Sequence, residues 1–413
     1  MNLINEKPIN FAVIFDQELE SGGGFQQGLN AAILASKIDP KLANVYFFHT
    51  KRKLKKNLLD NGINSKLIKI SFLKKIYLFI KTTSKYRIFY ELTKPFFEFN
   101  FFESFFKDQD INLLYFISPS RFALDLDELN FIYTVWDLCH RDNQEFPEAK
   151  IKDEFENREL RLNFSLKKAI AIIVDSKYGK SNLAKKYNIE KSRIKVIPFE
   201  PLKEINENKF AKNSNIYIKN KYKVKNNFLF YPAQFWPHKN HIYILKSVYI
   251  LEKKFNTLID VIFSGGDKGN KKNILNYAKK LGINNRIIFT GFIPNEDLAN
   301  IYKMSIALVM PTFFGPTNIP PLEAFKIGTP VIYPDLVGLK DQIQDAGLLV
   351  DLHDPETLSK SILELIKNND LRKNLINKGY KMAMKLERIN RISTLNDILK
   401  NYLIKFSTFR NND

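Results

Sequence analysis

Glu323 is the carboxylate whose surroundings most invite a chemical reading. It lies in FFGPTNIPPLEAFKIGTPVI, Phe313–Ile332, behind a rigid, uncharged loop. Pro316, Pro320 and Pro321 stiffen that approach, so little entropy is lost when a ligand docks. Proline is tolerated in a first helical turn, which puts the helix start near Pro321 and its C-cap at Gly328. Gly315, Thr317, Asn318 and Ile319 then offer backbone N–H groups at a helix N-terminus, whose partial positive charge favours a diphosphate. Glu323, about one turn into the helix, is acceptor-only and can take both hydroxyls of a ribose. The plainer alternative is a rigid loop with a helical acid that merely complements the dipole.

A second constellation is FYPAQFWPHKNH, Phe230–His241. Lys239 suits phosphate as a point charge, and Gln234 can donate hydrogen bonds without adding charge. His238 and His241 have the spacing of a metal pair, but no third ligand is evident and Lys239 between them repels a cation. No metal is therefore expected, and a histidine capping the following helix is favoured. Glycines after strands permit close backbone approach, as in SGGDKGN with Gly265. GFIPNEDL holds Phe292 and Ile293, and its Asn295 is also a good helix N-cap. Earlier in the chain, ESGGGFQQ holds Gly23 and Gly24, VWDLCHRDNQEFPE holds Asp137 and His140, and VDSKYGKSNL holds Ser176. Each has two readings: a ligand contact, or a turn, a packed histidine and a helix cap respectively.

These residues need elements to hold them. FAVIFD, VYFFHT, LLYFISP, FIYTVWD and AIAIIVDS are short apolar runs followed by helix-like sequence. After residue 226 the pattern restarts with NFLFYPA, LIDVIFSGG, RIIFTGF, IALVMP, PVIYPD and GLLVD. Such alternation indicates parallel βαβ units. The expectation is an α/β chain of two Rossmann-like domains with parallel sheets, facing one another across a cleft. Residues 1–200 form the first domain and 227–385 the second. Residues 201–226, polar and rich in Lys and Asn, read as a linker or surface loop. Residues 386–413 read as a helical tail that could cross back to the first domain. In open α/β sheets ligands bind beyond the carboxyl ends of strands, where all these motifs fall.

Composition narrows the class. The chain has 413 residues, which favours two domains, and 45% of them are hydrophobic. No apolar run reaches the ~18 residues of a membrane span, and the N-terminus lacks the pattern of a signal peptide. A single cysteine, Cys139, excludes an intramolecular disulfide and fits a reducing cytoplasm. The net charge is +20, and residues 51–100 carry thirteen Lys/Arg against three Asp/Glu. This is either a solvated lysine-rich surface or attraction to an anionic partner.

The segment PTFFGPTNIPPLEAFKIGTPVI resembles the signature of retaining glycosyltransferases of family 4, which have the GT-B fold. The common form of that signature is E-x7-E. Its second glutamate falls on Glu323, which the resemblance assigns to the nucleotide ribose. Its first, which contacts the donor sugar, falls on Gly315 and is missing. The F-G-P-T-N-I-P-P-L-E-A form is similar to that of surface-polysaccharide enzymes. Lys239 matches the family's phosphate-binding lysine, while Gln234 stands near the place of its arginine. The resemblance implies that the turns at Gly265 and at Phe292 and Ile293 line the base pocket, and that Gly23 and Gly24 approach the donor phosphates. It places His140 of the D-x-x-H segment near the donor sugar, with Asp137 and Ser176 facing the cleft. Asp125–Asp127 reads D-x-D, the metal motif of glycosyltransferases with the other major fold, but it precedes a strand here and is discounted.

The implied activity is metal-independent, retaining transfer of a hexose from a nucleotide-sugar to a saccharide or lipid-linked saccharide, in O-antigen, capsule or lipopolysaccharide synthesis. The nucleotide-sugar is a co-substrate, so no cofactor is expected. Residues 72–107 mix aromatics with lysines. They either lie on an anionic membrane, at the inner face of the cytoplasmic membrane, or pack their aromatic face inside the first domain. Two other classes compete. A nucleotide-sugar epimerase of the same fold would turn over donor without acceptor. A basic nucleic-acid-binding protein would show saturable, salt-dependent binding, but no recognisable module supports it, and no nucleic-acid partner is expected.

Overall fold

The computed structural model describes residues 7–16, 23–95, 99–200, 214–315 and 317–409. The chain divides into two compact units. One comprises Met1–Gln144, Ala149–Phe199 and Asn390–Asp413; the other comprises Glu145–Glu148 and Glu200–Ile389.

The first unit is built on β1 (Ile9–Phe15), β2 (Ala43–His49), β3 (Ser65–Leu67), β4 (Leu113–Phe116), β5 (Asn130–Thr134), β6 (Ala171–Val174) and β7 (Ile194–Val196). They form one sheet in the order β3-β2-β1-β4-β5-β6-β7, every pair parallel. Helices cover both faces, so β1 is apolar from Phe11 to Phe15 and its period of two sorts side chains between two cores. Phe11, Val13 and Phe15 join one core with Leu395 and Leu399. Ala12 and Ile14 join the other with Phe102 and Phe106. Leu395 and Leu399 belong to the C-terminal helix Arg391–Phe406. Its Tyr402 hydroxyl donates to the Asn112 carbonyl at 3.0 Å, and Arg391 Nε donates to the Pro198 carbonyl at 2.9 Å.

The second unit has β8 (Phe228–Pro232), β9 (Asp260–Ser264), β10 (Ile287–Gly291), β11 (Leu308–Val309), β12 (Val331–Pro334) and β13 (Leu348–Val350). Their order is β10-β9-β8-β11-β12-β13, again parallel. The stretch expected as a linker differs in part. Ser214–Tyr222 is a helix. Its Ile218 is fully buried in the second core, and Lys221 Nζ lies 2.6 Å from Asp297 Oδ2. Ile218 is the one fully buried apolar side chain of this helix among the described residues, too little periodicity for the sequence to show. Residues 201–213 lie outside the described residues.

Asp125 and Asp127 have structural work in the first unit. Asp125 accepts from Lys81 Nζ and from the Phe102 amide, both at 2.7 Å, and the Lys81 and Asp125 side chains are both buried. Burial pushes the Asp125 pKa up, with Lys81 opposing. Asp127 accepts from Lys168 Nζ at 2.9 Å and Asn100 Nδ2 at 2.6 Å. These contacts pin the helix Phe72–Thr82 and the helix Phe101–Lys107 onto the unit.

Both sheets reverse their strand order once beside their first strand, between β1 and β4 and between β8 and β11. Loops at the carboxyl ends there diverge and leave a crevice for ligands.

Asp125→Ala leaves the Lys81 ammonium buried without its counter-charge. Urea unfolding is expected to show a loss of about 3–5 kcal/mol, most of it recovered when Lys81→Met and Asp125→Leu are combined.

Candidate functional site

The reversal between β8 and β11 positions the residues singled out in the second unit. The turn after β8 carries Pro237–Lys239, and the loop after β11 leads into the helix Ile319–Ile327. The two loops are tied by the Phe313 amide, which donates to the His238 carbonyl at 3.0 Å. The Tyr231 hydroxyl donates to the Lys239 carbonyl at 2.8 Å and fixes the turn from beneath. Lys239 Nζ then donates to Asn318 Oδ1 at 3.1 Å. Residues 79 apart in sequence thus put an ammonium at the N-terminus of the helix that bears Glu323.

Asn318 is held on every side. Its Nδ2 donates to the Gly315 carbonyl at 2.8 Å and to the Tyr333 hydroxyl at 2.6 Å. Its backbone N–H donates to Gln342 Oε1 at 2.9 Å. That last bond changes the expected diphosphate cradle, because the Asn318 amide is already committed. Thr317 and Ile319 stand on either side of it. Gly315 has φ +110°, and a Cβ there would fall 3.0 Å from Asn318 Oδ1. A side chain at 315 would be strained at this φ and tight against Asn318, so the loop conformation favours glycine there.

Glu323 is buried, and its Oε2 accepts from the Tyr302 hydroxyl at 2.7 Å. Burial pushes its pKa up to about 7, the Tyr302 bond only partly opposing. The group is thus poised near neutrality, and two ribose hydroxyls would favour its charged form. The helix starts two residues earlier than expected, and Gly328 closes it in the left-handed conformation, as expected.

The remaining second-unit residues sort by geometry. Gln234 Oε1 accepts from Trp236 Nε1 at 3.1 Å. Gly265 has φ +147°, and a Cβ there would meet the Ala233 carbonyl oxygen at 2.5 Å. Its glycine is required by packing of the β9 turn onto the β8 turn. Phe292 is exposed after β10 beside Gly266, and Ile293 is half-buried. Asn295 is not the cap but the first residue of its helix, with Pro294 at the N-cap.

Neither histidine caps the helix His241–Phe255, whose N-cap is Asn240. His238 Nδ1 pairs with Glu148 Oε1 at 2.5 Å, and its ring stacks on Phe314 with centroids 3.8 Å apart. His241 is enclosed by the rings of Tyr231, Phe235 and Phe263, and burial drives its pKa down to about 3. The two side chains go to different surroundings. Among the described residues no group of three His, Cys, Asp or Glu could hold a metal ion.

In the first unit, Gly23 and Gly24 are the first residues of the helix Gly23–Ala35 rather than a loop, and 17–22 lie outside the described residues. Ser176 is the N-cap of Lys177–Tyr187 and accepts from the Gly179 amide at 3.0 Å. His140 is 0% exposed. Its Nε2 lies 2.8 Å from Glu159 Oε1 and 3.2 Å from the Tyr187 hydroxyl, and burial lowers its pKa. Asp137 Oδ1 accepts from Arg158 at 2.8 Å and from the Cys139 amide at 3.0 Å. Burial opposes its charge, but the Arg158 guanidinium holds its carboxyl well below the usual range.

Sequence reasoning missed Tyr302, Gln342 and Tyr333, which hold Glu323 and Asn318 from other elements, and the role of Glu148, which ends the VWDLCHRDNQEFPE segment and pairs with His238. It also missed Asp16, at the end of β1, which accepts from the Ser118 hydroxyl at 3.0 Å and from that of Ser120. An acid ending the first strand and the seryl turn after LLYFI were the available signals.

Comparison with known proteins adds the family context. Residues 212–382 match the family model of glycosyl transferases group 1. The O-antigen chain mannosyltransferase B of Escherichia coli is 25% identical over 239 residues, 57% of this chain and 62% of that protein. The chain thus matches less than two thirds of that relative's length. Two solved structures share the fold over nearly the whole chain. Anabaena Alr3699/HepE in complex with UDP-glucose has a TM-score of 0.69 at 13% identity, covering 96% of this chain and 100% of that one. WaaG, a glycosyltransferase involved in lipopolysaccharide biosynthesis, has a TM-score of 0.67 at 14% identity, covering 95% and 99%. The fold is α/β of the GT-B class, two Rossmann-like domains each on a parallel sheet.

The raised pKa of Glu323 predicts a pH effect in the ligand-free protein. The native state keeps a proton that the unfolded chain loses near 4.5. Stability from this group is complete below that pH and falls by about 3 kcal/mol as pH rises through about 7. Unfolding measured across this range should show the slope, and Glu323→Gln should flatten it.

Proposed function

We propose that this protein is a retaining glycosyltransferase that moves a hexose from a nucleotide-sugar to a saccharide or lipid-linked saccharide in surface polysaccharide synthesis. The observation that carries the reading is Lys239 Nζ at 3.1 Å from Asn318, at the N-terminus of the helix that bears Glu323. A cation, a helix N-terminus and a buried carboxylate at one strand-order reversal match the charges and hydroxyls of a nucleoside diphosphate. The group 1 model over 212–382 supports the transferase class. The O-antigen mannosyltransferase and WaaG support the polysaccharide context, and the UDP-glucose complex of the Anabaena protein supports a nucleotide-sugar donor.

In this reading the ribose hydroxyls donate to Glu323, drawing its proton off as nucleotide binds. Lys239 and the helix N-terminus face the diphosphate. Negative charge grows on that group as the glycosidic bond breaks, so fixed positive charge there stabilises the transition state more than the ground state. No carboxylate is assigned as a nucleophile, which fits front-face transfer in which the leaving phosphate helps to deprotonate the acceptor hydroxyl. Gln234 supplies no charge, so Lys239 bears more of the task. His140, being wholly buried, is assigned no step.

Thermal-shift screening against UDP, GDP, dTDP and ADP, then their sugars, identifies the donor. With that donor, Lys239→Ala and Glu323→Gln are each expected to slow transfer at least about 100-fold while the protein stays folded. Near-normal rates in both variants overturn the site.

A further inference from the structure

The helix Phe72–Thr82 has apolar residues on two opposite faces. Leu78, with Lys81 and Thr82, is buried against the first unit. Phe72, Leu73, Ile76 and Phe79 point the other way, with Phe72 75% and Leu73 76% exposed. Their spacing places them on one helical face. The helix Arg87–Thr93 repeats the arrangement. Tyr90 is buried, while Ile88, Phe89 and Leu92 are exposed. Phe79 touches Tyr86, immediately before the second helix, with ring centroids 5.6 Å apart, so the two apolar faces are joined. Twenty-three large hydrophobic side chains are exposed among the described residues, and nine of them fall between Phe72 and Phe99. A contiguous exposed apolar face of this kind marks an interaction surface.

Charge says what covers it. Lys69, Lys75 and Lys85 are exposed in or next to these helices, within a stretch of thirteen Lys/Arg and three Asp/Glu. One of the three acids, Glu91, is paired with Arg87. A second copy of the chain would bring the same positive field against itself and be repelled. An anionic lipid surface answers both features: basic side chains reach the headgroups and aromatic and aliphatic side chains enter the acyl boundary. Apolar insertion and charge together supply the two signals that stable peripheral binding needs. No helix among the described residues is long and apolar enough to cross a membrane.

We propose that the outer faces of Phe72–Thr82 and Arg87–Thr93 form a docking surface for an anionic lipid bilayer. The helix Phe72–Thr82 starts five residues after β3 ends, on the carboxyl-end side of the first sheet, the side on which α/β folds bind ligands. Docking there holds that side of the first unit near a lipid-anchored molecule. The surface is argued from exposure and charge alone and stands apart from the transferase reading.

Vesicle flotation of the full chain tests it. Vesicles are phosphatidylcholine alone, or phosphatidylcholine with one third phosphatidylglycerol. The protein is expected to float with the anionic vesicles only, and less at high salt. Phe72→Ser with Leu73→Ser, and separately Lys75→Glu with Lys85→Glu, are each expected to weaken partitioning about tenfold. These side chains face solvent, so the melting temperature and the nucleotide-induced thermal shift should be unchanged, which keeps this test separate from that of the donor site. Equal binding to both vesicles, undiminished binding by the variants, or absence of wild-type binding overturns the proposal. A dimer that Phe72→Ser with Leu73→Ser converts to monomer, without any flotation, assigns the face to a second copy and also overturns it.

Discussion

The candidate site depends on one topological constraint: in the second sheet the strand order reverses between β8 and β11. Parallel strands with helices on both faces leave their carboxyl-end loops diverging at such a point. The loops that leave these two strands deliver Lys239 and the Gly315–Ile319 segment. The backbone bond from Phe313 to the His238 carbonyl then stitches them together. Without the reversal, a lysine and an asparagine 79 residues apart would have no reason to meet.

Around that junction the structure spends polar groups on rigidity. Asn318 is bound by Lys239, Gly315, Tyr333 and Gln342, so its position is over-determined. In the proposed reading, in which fixed donors meet a diphosphate, little reorganisation is left to binding. The cost is visible at Glu323. Burial raises its pKa, and the Tyr302 hydroxyl is the bond that resists this. Such a carboxylate is uncomfortable when the site is empty and is relieved by hydroxyl donors.

The first unit shows a different division of labour. Several polar residues picked out in its sequence have structural partners. Asp125 anchors Lys81, Ser176 caps a helix, and His140 lies within a buried Glu159–Tyr187 cluster. The Lys81–Asp125 pair has a further consequence, since it fixes the inner face of Phe72–Thr82 and thereby leaves Phe72, Leu73, Ile76 and Phe79 facing outward. A buried ion pair that holds register in this way contributes to specificity of placement more than to net stability.

The alternation of apolar runs and helices was readable in the sequence because a strand buried on both faces must be apolar throughout. It failed for β3 and β7. Each is a three-residue edge strand with a lysine at its centre, Lys66 and Lys195, so it makes no apolar run, whereas the equally short edge strand β13 does. It failed also for Ser214–Tyr222, whose hold on the core is chiefly Ile218. Lys239, Glu323 and the glycine at 315 were legible from residue type and local spacing, because helix starts and tight loops are coded by neighbours in sequence. What only the tertiary structure decided was which of the candidate polar groups face one another and which are buried. It sent His238 to Glu148 and His241 into a cage of rings, committed the Asn318 amide to Gln342, and set Tyr302 against Glu323. Those outcomes depend on packing between elements far apart in the chain, and burial and partner choice, which set a side chain's charge and availability, are properties of that packing rather than of any local run of residues.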